Sequence, residues 1–395
     1  METLLSQCLR NQDRLLKSVE EQRVRPYFQN IDRSSRGVIL VGPRGTGKST
    51  FLLQMLKEDP KAIYMSLDHI MFQDMSLYEF AEYIYNQGYR SLYLDEVHFK
   101  HRWSFEIKSI YDSFPKMKII LSDSSSLVLR EGIADLSRRF PKTEMRLLSF
   151  REFIYLDTGI LLPKFNPLDT SFQSSPFRLP KEVKEFSDKY SVGKLFKNFI
   201  EQGQRPIFLE GRYEDRMNNI IEKTIYSDIP YFLPSLQKNH LGALRSIISH
   251  LAWASIPTLN IQNLCNQWEI GKDKVYELLK VLEATGMIHI IYSTLTPKGS
   301  SKGDKILFAD SSMYFALNGQ VGNAREAYFA STLKSAGYSV LTSKDEEICD
   351  YVVEGLKFEI GGKNKKRKKS DFVIKDPLDD FYSHEWPLWG LGFLW

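Results

Sequence analysis

An uncharged apolar run, GVILV at 37–41, gives way to GPRGTGKS at 42–49 and then to TFLLQMLK at 50–57. Few stretches this short restrict a fold more. The first segment reads as a strand buried on both faces, and the last carries apolar residues at helical spacing. Between them, three glycines in eight residues permit a turn too tight for side chains. The spacing G-x-x-x-x-G-K-[ST] wraps backbone N–H groups around a concavity at a helix N-terminus, where the helix dipole and a lysine favour phosphate. The predicted phosphate-binding set is Gly42, Arg44, Gly45, Thr46, Gly47, Lys48, Ser49 and Thr50, with Lys48 on the outer phosphates and Ser49 on Mg²⁺.

Such a loop needs a second carboxylate at the end of a neighbouring buried strand, and SLYLDE at 91–96 has that form. Asp95 is expected to bind Mg²⁺ through water. Glu96, pointing across the pleat, is expected to polarise the attacking water as general base. A strand at 62–68, a helix at 105–114, a strand at 118–122 and a polar turn at 123–126 complete an alternating pattern. That pattern predicts an α/β domain with an open, mostly parallel sheet and its site at the strand C-termini. Ser122 and Ser124 are candidates to sense the γ-phosphate, and a helix cap explains either serine equally well.

At 395 residues the chain calls for several domains, and its 43% hydrophobic content supports real cores. No apolar run reaches the length needed to span a bilayer, and the N-terminus is a charged amphipathic pattern. Cys8, Cys265 and Cys349 form neither a disulfide framework nor a zinc spacing, which fits a reducing, cytoplasmic compartment. A net charge of +4 identifies no polyanion partner, although KNKKRKK at 363–369 is locally basic.

Residues 163–180 read as a connection, and helices are expected at 191–202 and 215–226. Helices at 240–254, 260–268 and 272–285, then strands at 287–293 and 305–309 around a glycine-rich loop at 296–303, have the pattern of a winged helix. Lys272, Lys274 and Lys280 on its third helix are nearly balanced by Asp273, Glu277 and Glu283, so partner contact is favoured over DNA binding. From Asn323 an amphipathic helix precedes short strands at 338–341, 350–353 and 357–360. The apolar ending, 385–395, is expected to pack into a core or an interface.

These pieces, with Trp103, Arg138, Arg139 and the stretch LLSFREF at 147–153, resemble the prokaryotic AAA+-like ATPases in which a P-loop domain precedes a winged helix and a PD-(D/E)xK nuclease-like domain. The resemblance implies ATP or ADP with Mg²⁺ as ligands, and a P-loop ATPase as the enzyme. It implies that Arg139 stabilises γ-phosphate charge, in cis or from a neighbouring subunit of an oligomer. Asp123 and Arg138 depart from the family's glycines. The resemblance also implies that Glu326, Asp350 and Glu359 match the nuclease-like metal ligands. The lysine position fails, because Gly361 stands there and the nearest lysine is Lys363, which points to a degenerate domain unless Gly361 and Gly362 bulge the strand. The expected boundaries are 1–162 for the ATPase domain, 163–238 for the helical region, 239–318 for the winged helix and 319–395 for the nuclease-like domain. The function expected is slow ATP hydrolysis that rearranges the C-terminal domains. The alternatives are an ATP-licensed nuclease, or a nucleotide-gated binding module without turnover, with a nucleic-acid or protein partner left open.

Overall fold

The computed structural model describes residues 1–72, 74–124, 136–169, 177–255, 261–293, 304–343 and 348–395, and they fall into two compact units, 1–146 and 147–395. In the first unit five strands, β1 (Gly37–Val41), β2 (Ala62–Ser66), β3 (Ser91–Asp95), β4 (Lys118–Asp123) and β5 (Lys142–Glu144), form one sheet in the order β2-β3-β4-β1-β5. All its pairings are parallel. The apolar runs explain the arrangement: β1 and β3 are buried along their whole length, and a strand covered on both faces needs crossovers through helices. The crossovers are α2 (Lys48–Glu58), α3 (Leu77–Asn86) and α4 (Trp103–Ser113), while α1 (Glu2–Val19) precedes β1. The sheet brings the C-terminal ends of β1, β3 and β4 side by side, with Leu40 opposite Ser122 and Leu94 opposite Leu121.

The second unit opens with a helix at Phe150–Thr158, whose start is a capping box. Ser149 Oγ accepts from the Glu152 backbone N–H, and the Glu152 carboxylate accepts from the Ser149 N–H. The S-F-x-E pattern at 149–152 therefore has a local physical cause. Helices follow at Lys181–Lys189, Val192–Gln202, Tyr213–Lys223, Lys238–Trp253, Ile261–Trp268 and Lys272–Ala284. An antiparallel pair, β6 (Ile288–Ile291) and β7 (Lys305–Phe308), comes next. The loop at 296–303, expected as a wing, lies outside the described residues.

After the helix Val321–Ala336, strands β8 (Val340–Thr342), β9 (Tyr351–Val353), β10 (Leu356–Gly362), β11 (Phe372–Asp376) and β12 (Glu385–Pro387) form a sheet in sequence order. Its first three strands are antiparallel and its last three parallel. The apolar ending is buried: Leu388, Trp389, Leu391 and Phe393 are core residues, and Phe150 packs edge-on against Phe393. A fully buried ion pair, Arg205 Nε to Asp310 Oδ2 at 2.6 Å, ties the helical segment to the chain after β7. The stretches expected as separate domains at 163–238, 239–318 and 319–395 thus share one compact unit.

Candidate functional site

The loop after β1 is shaped by its glycines. A Cβ on Gly42 would lie 2.3 Å from the Met145 carbonyl oxygen, so no side chain fits. Gly45 and Gly47 have φ of 75° and 94°, in the left-handed region that glycine enters without steric cost. Arg25 supports the loop from behind: its buried guanidinium donates to the Thr46 carbonyl at 2.6 Å and to the Arg146 carbonyl at 3.1 Å. The Tyr27 hydroxyl donates to the Glu144 carbonyl, and Phe28 packs edge-on against Phe51 of α2. The segment before β1 therefore braces the loop at both β5 and α2.

Lys48 opens α2, and its ammonium curls back to donate to the carbonyls of Gly42 at 2.7 Å and Pro43 at 3.1 Å. Burial lowers its pKa, while the nearby Glu96, Asp95 and Asp123 carboxylates oppose that shift. Three segments, the start of α2 and the ends of β3 and β4, thus aim one cation and three carboxylates at the same place.

Asp95, at the end of β3, is fixed on both oxygens. Tyr64 Oη donates to Oδ2 at 2.9 Å, while Ser122 Oγ and the Glu96 N–H donate to Oδ1. Glu96 does not continue the pleat as its position in the run suggests. Its φ of 50° is left-handed, which turns the chain out of the strand and sets its carboxylate against the loop. Oε1 sits 3.2 Å from Arg44 Nη1. Oε2 is buried without a hydrogen-bond partner among the described residues. Burial raises the carboxyl to about 7, against the pull of Lys48 and Arg44.

Behind Glu96 lies a pair that the sequence did not announce. His98 is fully buried, with Nδ1 2.9 Å from Asp123 Oδ2 and 3.6 Å from Glu96 Oε2. Asp123 Oδ2 also accepts from the His98 backbone N–H. Ligand-type atoms of Glu96, His98 and Asp123 all lie within 4.8 Å of one another. Asp123 is therefore an internal partner of His98.

Of the predicted residues, the structure brings together Gly42, Arg44, Gly45, Thr46, Gly47, Lys48, Asp95 and Glu96. Ser49, exposed, and Thr50 lie in the first turn of α2. Ser124 is buried just beyond β4, and it is Ser122 that reaches Asp95. Arg139 needs correction. It lies at the opposite end of β1, where its carbonyl would be 2.9 Å from a Cβ on Gly37, and its guanidinium is held in two hydrogen bonds by Asp112. A strand of five residues, about 15 Å long, separates it from the loop, so it supplies no charge to this chain's own site.

The C-terminal carboxylates, expected as a degenerate metal set, do not come together as a group of three. Glu326 is bound to Lys305 Nζ at 2.9 Å and Tyr351 Oη at 2.6 Å. Asp350 and Glu359 instead share the ammonium of Lys365. Tyr64, His98 and Arg25 were missed because each reaches the site from a different segment. The one signal available was a tyrosine inside a buried strand, which needs a partner for its hydroxyl.

For Mg²⁺, the donor set is all oxygen: the Ser49 hydroxyl at the helix start and the Asp95 carboxylate. Such hard ligands suit the ion, and the three donors already on Asp95 favour contact through water. No helix among the described residues is long and apolar enough to cross a membrane.

Comparison with known proteins agrees at the level of this domain. Residues 34–154 match a family model described as AAA domain. An archaeal relative, "Uncharacterized protein MJ1637" of Methanocaldococcus jannaschii, is 26% identical over 343 residues, covering 81% of this chain and 70% of its own. Likeness to solved structures is weak. The AMPPCP-bound DnaA of Aquifex aeolicus is 17% identical with a TM-score of 0.28, over 68% of this chain and 86% of that one. The Hsp104-ADP complex of S. cerevisiae is 16% identical with a TM-score of 0.30, over 69% of this chain and 39% of that one. The AAA-domain match, the glycine-built loop and the parallel sheet together support nucleotide binding by a P-loop ATPase-type domain.

Proposed function

We propose that the chain binds ATP at Gly42–Thr50 and hydrolyses it slowly, and that the energy rearranges the C-terminal unit, 147–395. The observation that carries this reading is Lys48: a buried ammonium resting on the loop's own carbonyls, in the field of Asp95, Glu96 and Asp123. Outer phosphates would exchange for those carbonyls, giving Lys48 charge-assisted partners. Arg44, the loop's second cation, would turn from Glu96 Oε1 toward the phosphates, which frees the carboxylate. Glu96 Oε2 would then accept a proton from the attacking water. Tyr64, Ser122 and the Glu96 N–H hold Asp95 in one orientation, with Ser49 and Asp95 as the residues that would hold Mg²⁺. That ion, when bound, offsets charge on the outer phosphate oxygens.

The test is nucleotide titration by calorimetry. Lys48→Ala should lower ATP affinity below detection, because the loop loses the one lysine directed at the outer phosphates. Unchanged affinity would reject the site.

A further inference from the structure

We infer that Asp350 and Glu359 form a cation seat which the chain fills with its own Lys365, so that this carboxylate pair holds no divalent metal. The sheet of the second unit presents two acids side by side: Asp350 just before β9, and Glu359 in the middle of β10. The Glu359 side chain is completely buried, and Asp350 Oδ2 accepts from the Ile360 backbone N–H at 2.8 Å. In the fold this domain resembles, two such carboxylates would take a divalent ion at a scissile phosphate. Here the Lys365 ammonium stands between them, 2.8 Å from Asp350 Oδ2 and 2.7 Å from Glu359 Oε2. Lys368 Nζ adds a second cation, 3.4 Å from Glu359 Oε1. Two carboxylates face two ammonium groups, so the seat is neutral without an ion.

The glycines after Glu359 make this possible. They do not bulge the strand: Gly361 and Gly362 continue β10 in register with Lys375 and Asp376 of β11. The chain then turns tightly, with the Lys365 N–H donating to the Gly362 carbonyl at 2.9 Å. Lys365 folds back across Gly361, where an added Cβ would lie 2.8 to 2.9 Å from the lysine's Cβ, Cγ and Cδ. A side chain at 361 would push the ammonium off its seat. Although burial alone would lower the lysine's pKa, its hydrogen bond to Asp350 and the Glu359 carboxylate 2.7 Å away raise it, so the charged form is the resident. Glu326, the third acid that a metal site would recruit, is held by Lys305 and Tyr351. A metal ion and Lys365 would be like charges competing for the same oxygens. This inference is independent of the ATP site.

The experiment measures Mn²⁺ binding to the full-length, nucleotide-free chain by electron paramagnetic resonance, together with Tm. Wild type and Glu359→Gln should bind Mn²⁺ equally. Lys365→Met should have a lower Tm, because it leaves two carboxylates facing one ammonium, with Glu359 buried. It should also gain one Mn²⁺ per chain, and saturating Mn²⁺ should restore the lost Tm. Both the extra Mn²⁺ and the Tm deficit should disappear in Lys365→Met combined with Glu359→Gln, which removes both charges. Mn²⁺ bound by wild type but lost in Glu359→Gln would overturn the inference. So would a Lys365→Met protein that gains no Mn²⁺. If Lys365→Met fails to fold, the wild-type and Glu359→Gln comparison decides alone.

Discussion

Glu96 carries the most chemistry for its size. Its carboxyl is raised from 4.5 to about 7, first by burial, so the folded, nucleotide-free protein binds a proton there that the unfolded chain releases. The sign follows. The contribution favours folding below about pH 4.5 and is lost as pH rises through 7. Wild-type Tm should therefore fall, relative to Glu96→Gln, as pH is raised between those limits, because the amide has no proton to lose. Parallel Tm profiles for the two proteins would show that Glu96 is not buried in this way. The loop's turn and the strand that ends at Asp95 were legible in the sequence because their geometry is local, whereas the left-handed turn at Glu96 was not. Tyr64, Arg25 and the His98–Asp123 pair were not legible, because their partners lie between 21 and 121 residues away and meet only when the sheet assembles. Arg139 was misplaced for the opposite reason. Its position in the motif order says nothing of which end of β1 it occupies.

Elements came through the sequence better than their neighbours did. The strand at 37–41 and the helix beginning at Lys48 follow from one change of periodicity, and the buried ending from its apolar composition. The turn after β10 was hidden, because counting residues along a strand places Lys363 and gives no hint that Lys365 returns. The helix at Phe150–Thr158 offers a clean check of local coding. Ser149→Ala removes one side of the capping box and should destabilise the protein by about 1 kcal/mol, measured by urea unfolding. Ser149→Asp, which can cap equally well, should recover most of the loss. An alanine variant as stable as wild type would mean that packing against Phe393 alone sets where this helix starts.

Boundaries between parts were the least legible feature of the chain. A shift in composition at 163–180 suggested a break, yet the described residues from 147 to 395 form one compact unit, and a buried polar network is one of its ties. Arg205 meets Asp310, Gln204 meets Ser311, and Tyr213 meets Ser312, all shielded from water. No periodicity reveals such a network, because its partners are about 100 residues apart. Arg205→Ala should cost roughly 3 to 5 kcal/mol, since it strands a buried carboxylate. Pairing it with Asp310→Ala should recover part of that loss, read as coupling in a double-mutant cycle. Additive losses would show that the two residues are not partners.

A role for Glu96 as the base of ATP turnover can be read from one paired measurement. ATP affinity and steady-state phosphate release are compared for wild type and Glu96→Gln with Mg²⁺ present. The variant should still bind ATP with near wild-type affinity, while turnover falls about a hundredfold or more, as loss of a general base does. Equal turnover in the two proteins would contradict it, and would leave Glu96 as a buried carboxylate that merely pairs with Arg44.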